Sequence, residues 1–199
     1  MVETGDPSDD KGGQRNRRNR AAQRKYKLPT EERLTRAAVH YLDRYASSLE
    51  NLRNVLSRKV KRAATANGRA PDEFQDIIDR VVEKCQRAGM VDDRTYAETK
   101  LSGLRRRGRS KRQIEATLAA KGVDRNLIAT VIDQDGTSEL EAALTYARRR
   151  RLGPWRTGGQ REERREKDMA ALCRAGYPYE IARKVIDAAD DGEATSAAF

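Results

Sequence analysis

The chain reads as all-α: an elongated array of three tandem three-helix modules behind a disordered basic N-terminal tail. Three observations predict this. From Thr30 onward apolar residues recur at spacings of three and four, the period of an amphipathic helix rather than a strand. Helix starts are marked repeatedly by Ser47-x-x-Glu50, Ser110-x-x-Gln113 and Ser138-x-x-Glu141. These have the form of capping boxes, in which side chain and backbone satisfy each other's unpaired donors. A helix bearing apolar doublets also recurs after Asp72, Asp124 and Pro178, an interval of about 50 residues typical of helical repeats.

Composition agrees with that architecture. Of 199 residues, 37% are hydrophobic, 37% charged and 5% aromatic, a surface-rich balance. Lys and Arg number 42 against 31 Asp and Glu, a formal charge of +11. Such an excess suits a polyanionic partner or an acidic assembly, and solvated helix faces account for it equally well. Cys85 and Cys173 sit apart in apolar helical contexts, where burial as small hydrophobes is expected. No run is long and apolar enough to span a bilayer, and the N-terminus lacks an apolar leader. A cytoplasmic protein is expected.

In order, residues 1–29 form the tail: acidic at first, then dense in Lys and Arg without an acid over residues 11–28. Little there can build a core, so disorder is expected. A basic arm of this kind meets nucleic acid or simply aids solubility.

The first module spans residues 30–91. Its first helix carries Leu34, Ala38, Tyr41 and Tyr45 on one face, and its second Leu49, Leu52 and Leu56. A break is expected over residues 61–71. Asp72 then caps a third helix with Phe74, Ile77, Ile78, Val81, Val82 and Cys85, ended by Gly89.

The second module, residues 92–135, is the best marked. Asp92 and Asp93 start a helix bearing Tyr96, Ala97, Leu101 and Leu104, and Arg105, Arg106 and Arg107 end it before Gly108. Acid at the start and arginine at the end both complement the helix dipole. Ser110 restarts the chain and Gly122 stops it; Asp124 caps a last helix with Leu127, Ile128, Val131 and Ile132.

The third module, residues 136–199, opens at Ser138 with Leu140, Ala143, Leu144 and Ala147 and ends that helix in Arg148, Arg149, Arg150 and Arg151. A glycine-rich loop over residues 153–159 follows. A charged helix with Met169, Leu172 and Cys173 stops at Gly176, and Pro178 precedes Ile181, Ala182, Val185 and Ile186.

No catalytic, cofactor-binding or metal-binding constellation stands out. The glycine-rich loop has neither the lysine nor the preceding strand of a phosphate loop. His40 is the single histidine, placed mid-helix, where a structural role is expected. The chain reads as a non-enzyme without cofactors.

Binding candidates are basic. Arg105, Arg106, Arg107, Arg109, Lys111 and Arg112 cross a one-glycine corner beside the N–H groups of the following helix, an arrangement suited to phosphates or carboxylates. Arg148, Arg149, Arg150 and Arg151 hold the matching place in the third module. In both runs, arginine at a helix end also serves simply to complement the dipole. Trp155, the single tryptophan, either stacks on a base or partner or pins its own loop.

The run Gly89-Met-Val-Asp92-Asp93-Arg-Thr-Tyr96-Ala97 resembles the hallmark of the RecX family. The Leu-x-x-Lys-Gly-Val ending at Val123, the Arg174-Ala-Gly-Tyr-Pro-Tyr-Glu-Ile181 stretch, and Arg44, Ser48, Leu52 and Arg53 fall where that family has related motifs. The resemblance implies three tandem three-helix repeats and a negative regulator of the RecA recombinase. Such a protein lies in the groove of the filament on DNA and inhibits strand exchange, ATP hydrolysis and co-protease activity. Its partners would be the RecA filament and single- or double-stranded DNA, bound directly or through the filament, with the regulator itself monomeric. Gly89, Asp92, Asp93, Tyr96 and Ala97 are then structural. The alternative is a protein that binds single-stranded DNA directly and competes for it.

Overall fold

A computed structural model describes residues 26–157 and 161–189; most of the tail, residues 1–25, lies outside the described residues. Among the described residues there are nine α-helices and no strand: α1 Glu31–Leu42, α2 Leu49–Ala66, α3 Gln75–Arg87, α4 Asp93–Arg105, α5 Lys111–Ala119, α6 Arg125–Asp133, α7 Glu139–Arg150, α8 Arg161–Arg174 and α9 Tyr179–Asp187. Short 3₁₀ turns precede α3 (Pro71–Phe74) and follow α7 (Gly153–Trp155). The chain divides into two compact units that meet in sequence at Asp92 and Asp93.

The first unit is built from α1, α2 and α3. Leu34, Ala38, Leu52, Leu56, Val60, Ile78, Val81, Val82 and Cys85 are buried together, with Phe74 and Val91 closing the ends. Thr30 caps α1 by accepting from the Arg33 N–H. Ser48, not Ser47, caps α2, accepting from the Asn51 N–H at 3.1 Å. Ser47 instead donates to the Ser48 carbonyl and accepts from the Asn51 amide.

Two local expectations change here. The break expected over residues 61–71 is shorter, because the alanines that look like a linker include Ala63 and Ala64, which are buried and carry α2 to Ala66. Asp72 lies in a 3₁₀ turn rather than capping α3, since Pro71 sets that turn. Tyr45, expected on the apolar face of α1, is exposed as well.

The second unit holds two three-helix clusters. Tyr96, Ala97, Leu101, Ile114, Leu118, Val123, Ile128, Val131 and Ile132 form one, from α4, α5 and α6. Ala142, Ala143, Ala147, Leu152, Met169, Leu172, Tyr177, Ala182, Val185 and Ile186 anchor the other, from α7, α8 and α9. Ser110, Asp124 and Ser138 cap their helices as expected. Only Ser138 completes the reciprocal box, Glu141 accepting from the Ser138 N–H at 2.7 Å. Cys173 departs from expectation: it faces out from α8, one position past the buried Leu172.

Candidate functional site

The corner between α4 and α5 is built around Gly108. Its φ of +67° is left-handed, and its Cα faces α7 so closely that an added Cβ would lie 2.4 Å from the Tyr146 nitrogen. Only glycine permits that approach. The Tyr177 hydroxyl donates to the Gly108 carbonyl at 2.9 Å, and the buried Ser110 hydroxyl donates to the Ala175 carbonyl at 2.7 Å. Burial pushes the Tyr177 hydroxyl well above the usual tyrosine range, with the nearby Glu139 charge adding to the rise. It therefore stays a neutral donor at physiological pH.

Arg105 belongs to the inside of this corner. It is 7% exposed, and its guanidinium donates to Asp135 and Glu139, each at 2.6 Å, and to the Arg109 carbonyl at 3.1 Å. Burial alone would lower its pKa; the Glu139 and Asp135 hydrogen bonds and charges outweigh that and raise it, so the group stays charged. Asp135 and Glu139 flank the connection from α6 to α7, so Arg105 braces that connection. Arg105, expected to meet a partner, is instead buried, with its Nε and Nη1 donors engaged internally.

The start of α5 is likewise occupied. Glu139 accepts from the Lys111 N–H at 2.9 Å and Ser110 from the Gln113 N–H at 3.3 Å. The protein itself thus places a carboxylate where sequence suggested an open anion site, with the same favourable dipole.

The remaining basic residues are outside. Arg106, Arg107, Arg109, Lys111 and Arg112 are exposed, as are Arg148, Arg149, Arg150 and Arg151. Among the described residues none of these nine forms an ion pair with an acid; Arg106 reaches the Ser102 hydroxyl and Arg109 the Gln113 amide. The two runs, distant in sequence, border one residue. The Tyr146 backbone touches Gly108, and the Arg150 guanidinium lies 5.7 Å from the Tyr146 ring centroid. Exposed cations left unpaired on a rigid corner attract an anionic surface, in a salt-dependent way.

Trp155 is half-buried and packs against the core of the third cluster. Its loop is fixed by Asp168, which is 2% exposed, accepts from the Gly153 N–H at 2.9 Å and pairs with Arg156. Gly153 also sits against Ile186 with φ +54°. Of the two roles open to Trp155, the geometry favours pinning its own loop. Nothing in the sequence marks Asp168, one acid among many in a charged helix.

Of the motif residues, Gly89 ends α3 with φ +67°, and the Met90 N–H returns to the Cys85 carbonyl. Asp93 lies in the first turn of α4, with Tyr96 and Ala97 buried beneath it.

No helix among the described residues is long and apolar enough to cross a membrane. Residues 92–132, which contain this corner, match the second three-helix domain of RecX. The chain is 42% identical over 182 residues to the regulatory protein RecX of Myxococcus xanthus, covering 89% of this chain and 96% of that one. It is 30% identical over 150 residues to that of Agrobacterium fabrum, covering 75% and 79%, and 33% identical over 140 residues to that of Mycobacterium tuberculosis, covering 68% and 80%. No solved structure gives a significant match. With its all-helical modules and near full-length similarity to one relative, the chain belongs to the RecX family of regulatory proteins.

Proposed function

We propose that this chain is a negative regulator of the RecA recombinase. It binds the recombinase–DNA filament in its groove and inhibits strand exchange, ATP hydrolysis and co-protease activity without catalysing a reaction itself. The observation that carries the reading is the set of nine exposed cations in two runs, one around Gly108 and one at the end of α7, none of them paired with an acid among the described residues, in a chain of this family. A filament built on DNA is polyanionic, so a basic corner is steered to it and the association weakens as salt rises. Tandem modules that engage successive protomers add through effective concentration, so that no single module contact has to be strong.

The test is recombinase ATPase on single-stranded DNA, with the full chain as inhibitor. Arg106→Glu with Arg107→Glu is expected to raise the inhibitory concentration at least tenfold at low salt, and to reduce its salt dependence, without lowering the melting temperature. Inhibition that stays at the parent concentration at both low and moderate salt sinks the proposed role of this corner. An absence of any inhibition by the parent chain sinks the functional reading itself.

A further inference from the structure

The first unit carries a groove of about 660 Å³ beside α1 and α2. Leu34 and Val60 contribute apolar wall, Lys27, Arg33, Arg36 and Lys59 stand around them, and no acidic residue lines it. A second hollow of about 230 Å³ shares Lys59 with it and adds Arg44, Arg62 and Tyr45, again without an acidic lining residue. Among the described residues only Arg36 of these cations pairs with a carboxylate, that of Glu32, and both side chains are largely exposed, so the pair holds weakly. Like charges gathered on a concave surface with apolar walls focus their field and call for an anion.

The chain itself arrives at this groove. Tyr26, Lys27 and Leu28 line it. The Asn67 amide donates to the Tyr26 carbonyl at 2.7 Å and the Arg33 guanidinium to the Leu28 carbonyl at 2.9 Å, which fixes this stretch against the groove. Upstream, residues 11–25 hold seven Lys or Arg and no acid, whereas residues 1–10 hold Glu3, Asp6, Asp9 and Asp10 and no Lys or Arg. The fifteen residues between can reach at most about 50 Å. The 12-residue α1 is about 18 Å long, so the acidic segment is within reach of the whole groove.

We propose that residues 1–10 of this chain are the occupant of the groove: the acidic segment lies back along α1 with its carboxylates on the groove's cations. The tether makes the encounter intramolecular, so weak contacts suffice. The adjacent basic run competes for the same carboxylates, but exposed pairs between chain neighbours in water are worth little. The groove instead offers cations on a folded support beside apolar walls, where the attraction is less screened. The segment thus acts as a removable cover that neutralises the basic surface of the first unit until salt or a stronger anion displaces it.

The experiment uses the full chain without recombinase. A nitroxide is attached at residue 8 through Ser8→Cys with Cys173→Ser, leaving the buried Cys85 in place, and amide intensities are read by NMR. Ala37, Val60 and Ala63 are expected to lose most of their intensity at low salt. They should recover it at high salt, and also when Glu3→Gln, Asp6→Asn, Asp9→Asn and Asp10→Asn are combined; thermal melting confirms an intact fold. Full intensity at those three amides overturns the proposal, as does a loss that survives the four neutralisations. A loss confined to residues 11–25 overturns it by assigning the acids to their own basic neighbours. A loss at the groove of an unlabelled, isotope-enriched chain mixed with spin-labelled chain assigns the groove to a second copy. Shifts at the groove on adding oligo-dT or poly-glutamate that are as large in the parent as in the neutralised chain show a groove open to outside anions, and both results overturn the cover. None of these outcomes touches inhibition of the recombinase ATPase, on which the regulatory reading rests.

Discussion

Gly108 and Tyr146 touch backbone to backbone, with room between them for a hydrogen on the Gly108 Cα and nothing larger. This contact joins the α4–α5 corner to α7 and brings the two arginine runs of the second unit to one tyrosine. It predicts a sharp glycine requirement. Gly108→Ala adds left-handed strain to a clash with main chain that cannot rotate away, a loss of about 3 kcal/mol. Gly68 has nearly the same φ, +66°, but no atom within 4 Å of an added Cβ. Gly68→Ala is expected to cost only the strain, about 1 kcal/mol. Chemical denaturation of the two variants separates clash from strain; equal losses would remove the packing role.

Arg105 and its neighbours should behave oppositely. Arg105→Ala leaves Asp135 and Glu139 facing one another without a cation in a mostly buried site. The expected loss is about 3–5 kcal/mol, and Arg105→Lys should recover only part because an ammonium cannot reproduce the guanidinium fork. Arg106→Ala and Arg107→Ala are expected to change the melting temperature little. Differential scanning calorimetry compares all four, and a parent-like melt for Arg105→Ala would contradict the bracing role.

The single tryptophan reports on the loop held by Asp168. Asp168→Ala frees Gly153 and Arg156 and strands a buried donor, which predicts a loss of about 2–3 kcal/mol. Trp155 emission should shift to longer wavelength as the ring leaves its packing. An unshifted spectrum would show that Trp155 holds its place without Asp168.

Acid should weaken each unit through a different aspartate. Hydrogen bonds from Arg53 and from Arg165 hold Asp79 and Asp187, respectively, below the ordinary aspartate value of 3.8. A carboxylate lowered on folding contributes its full stability above the ordinary value and loses it as pH falls through the lowered one. Stability is therefore expected to drop below pH 3.8, modestly because both pairs are partly exposed. Arg53→Gln and Arg165→Gln should each flatten that drop, as read by denaturant midpoints across the acid range. Slopes identical to the parent would rule these pairs out as its source.

The helices, their caps at Ser110, Asp124 and Ser138, and the apolar stripes from Leu34 to Ile186 were legible in the sequence. Each depends on residues three or four positions apart, and a helix places those side by side whatever the rest of the chain does. The family motif was legible for the same reason, being one helix stop and the start of the next. The Ser47 cap failed only by one position: Ser48 takes the Asn51 N–H, and Ser47 is engaged by the Ser48 carbonyl and the Asn51 side-chain amide.

Tertiary structure alone decided which arginine is buried. Arg105, Arg106 and Arg107 are equivalent in any local pattern. They are told apart by Asp135 and Glu139, carboxylates brought from far along the chain that neutralise Arg105 and leave its neighbours to solvent. Exposure of Cys173, the pinning of Trp155 by Asp168, and the union of Tyr45 with Lys59 in one groove have the same origin. A charge or a ring acquires its role from what is packed around it, and for these residues the packing partners come from other helices.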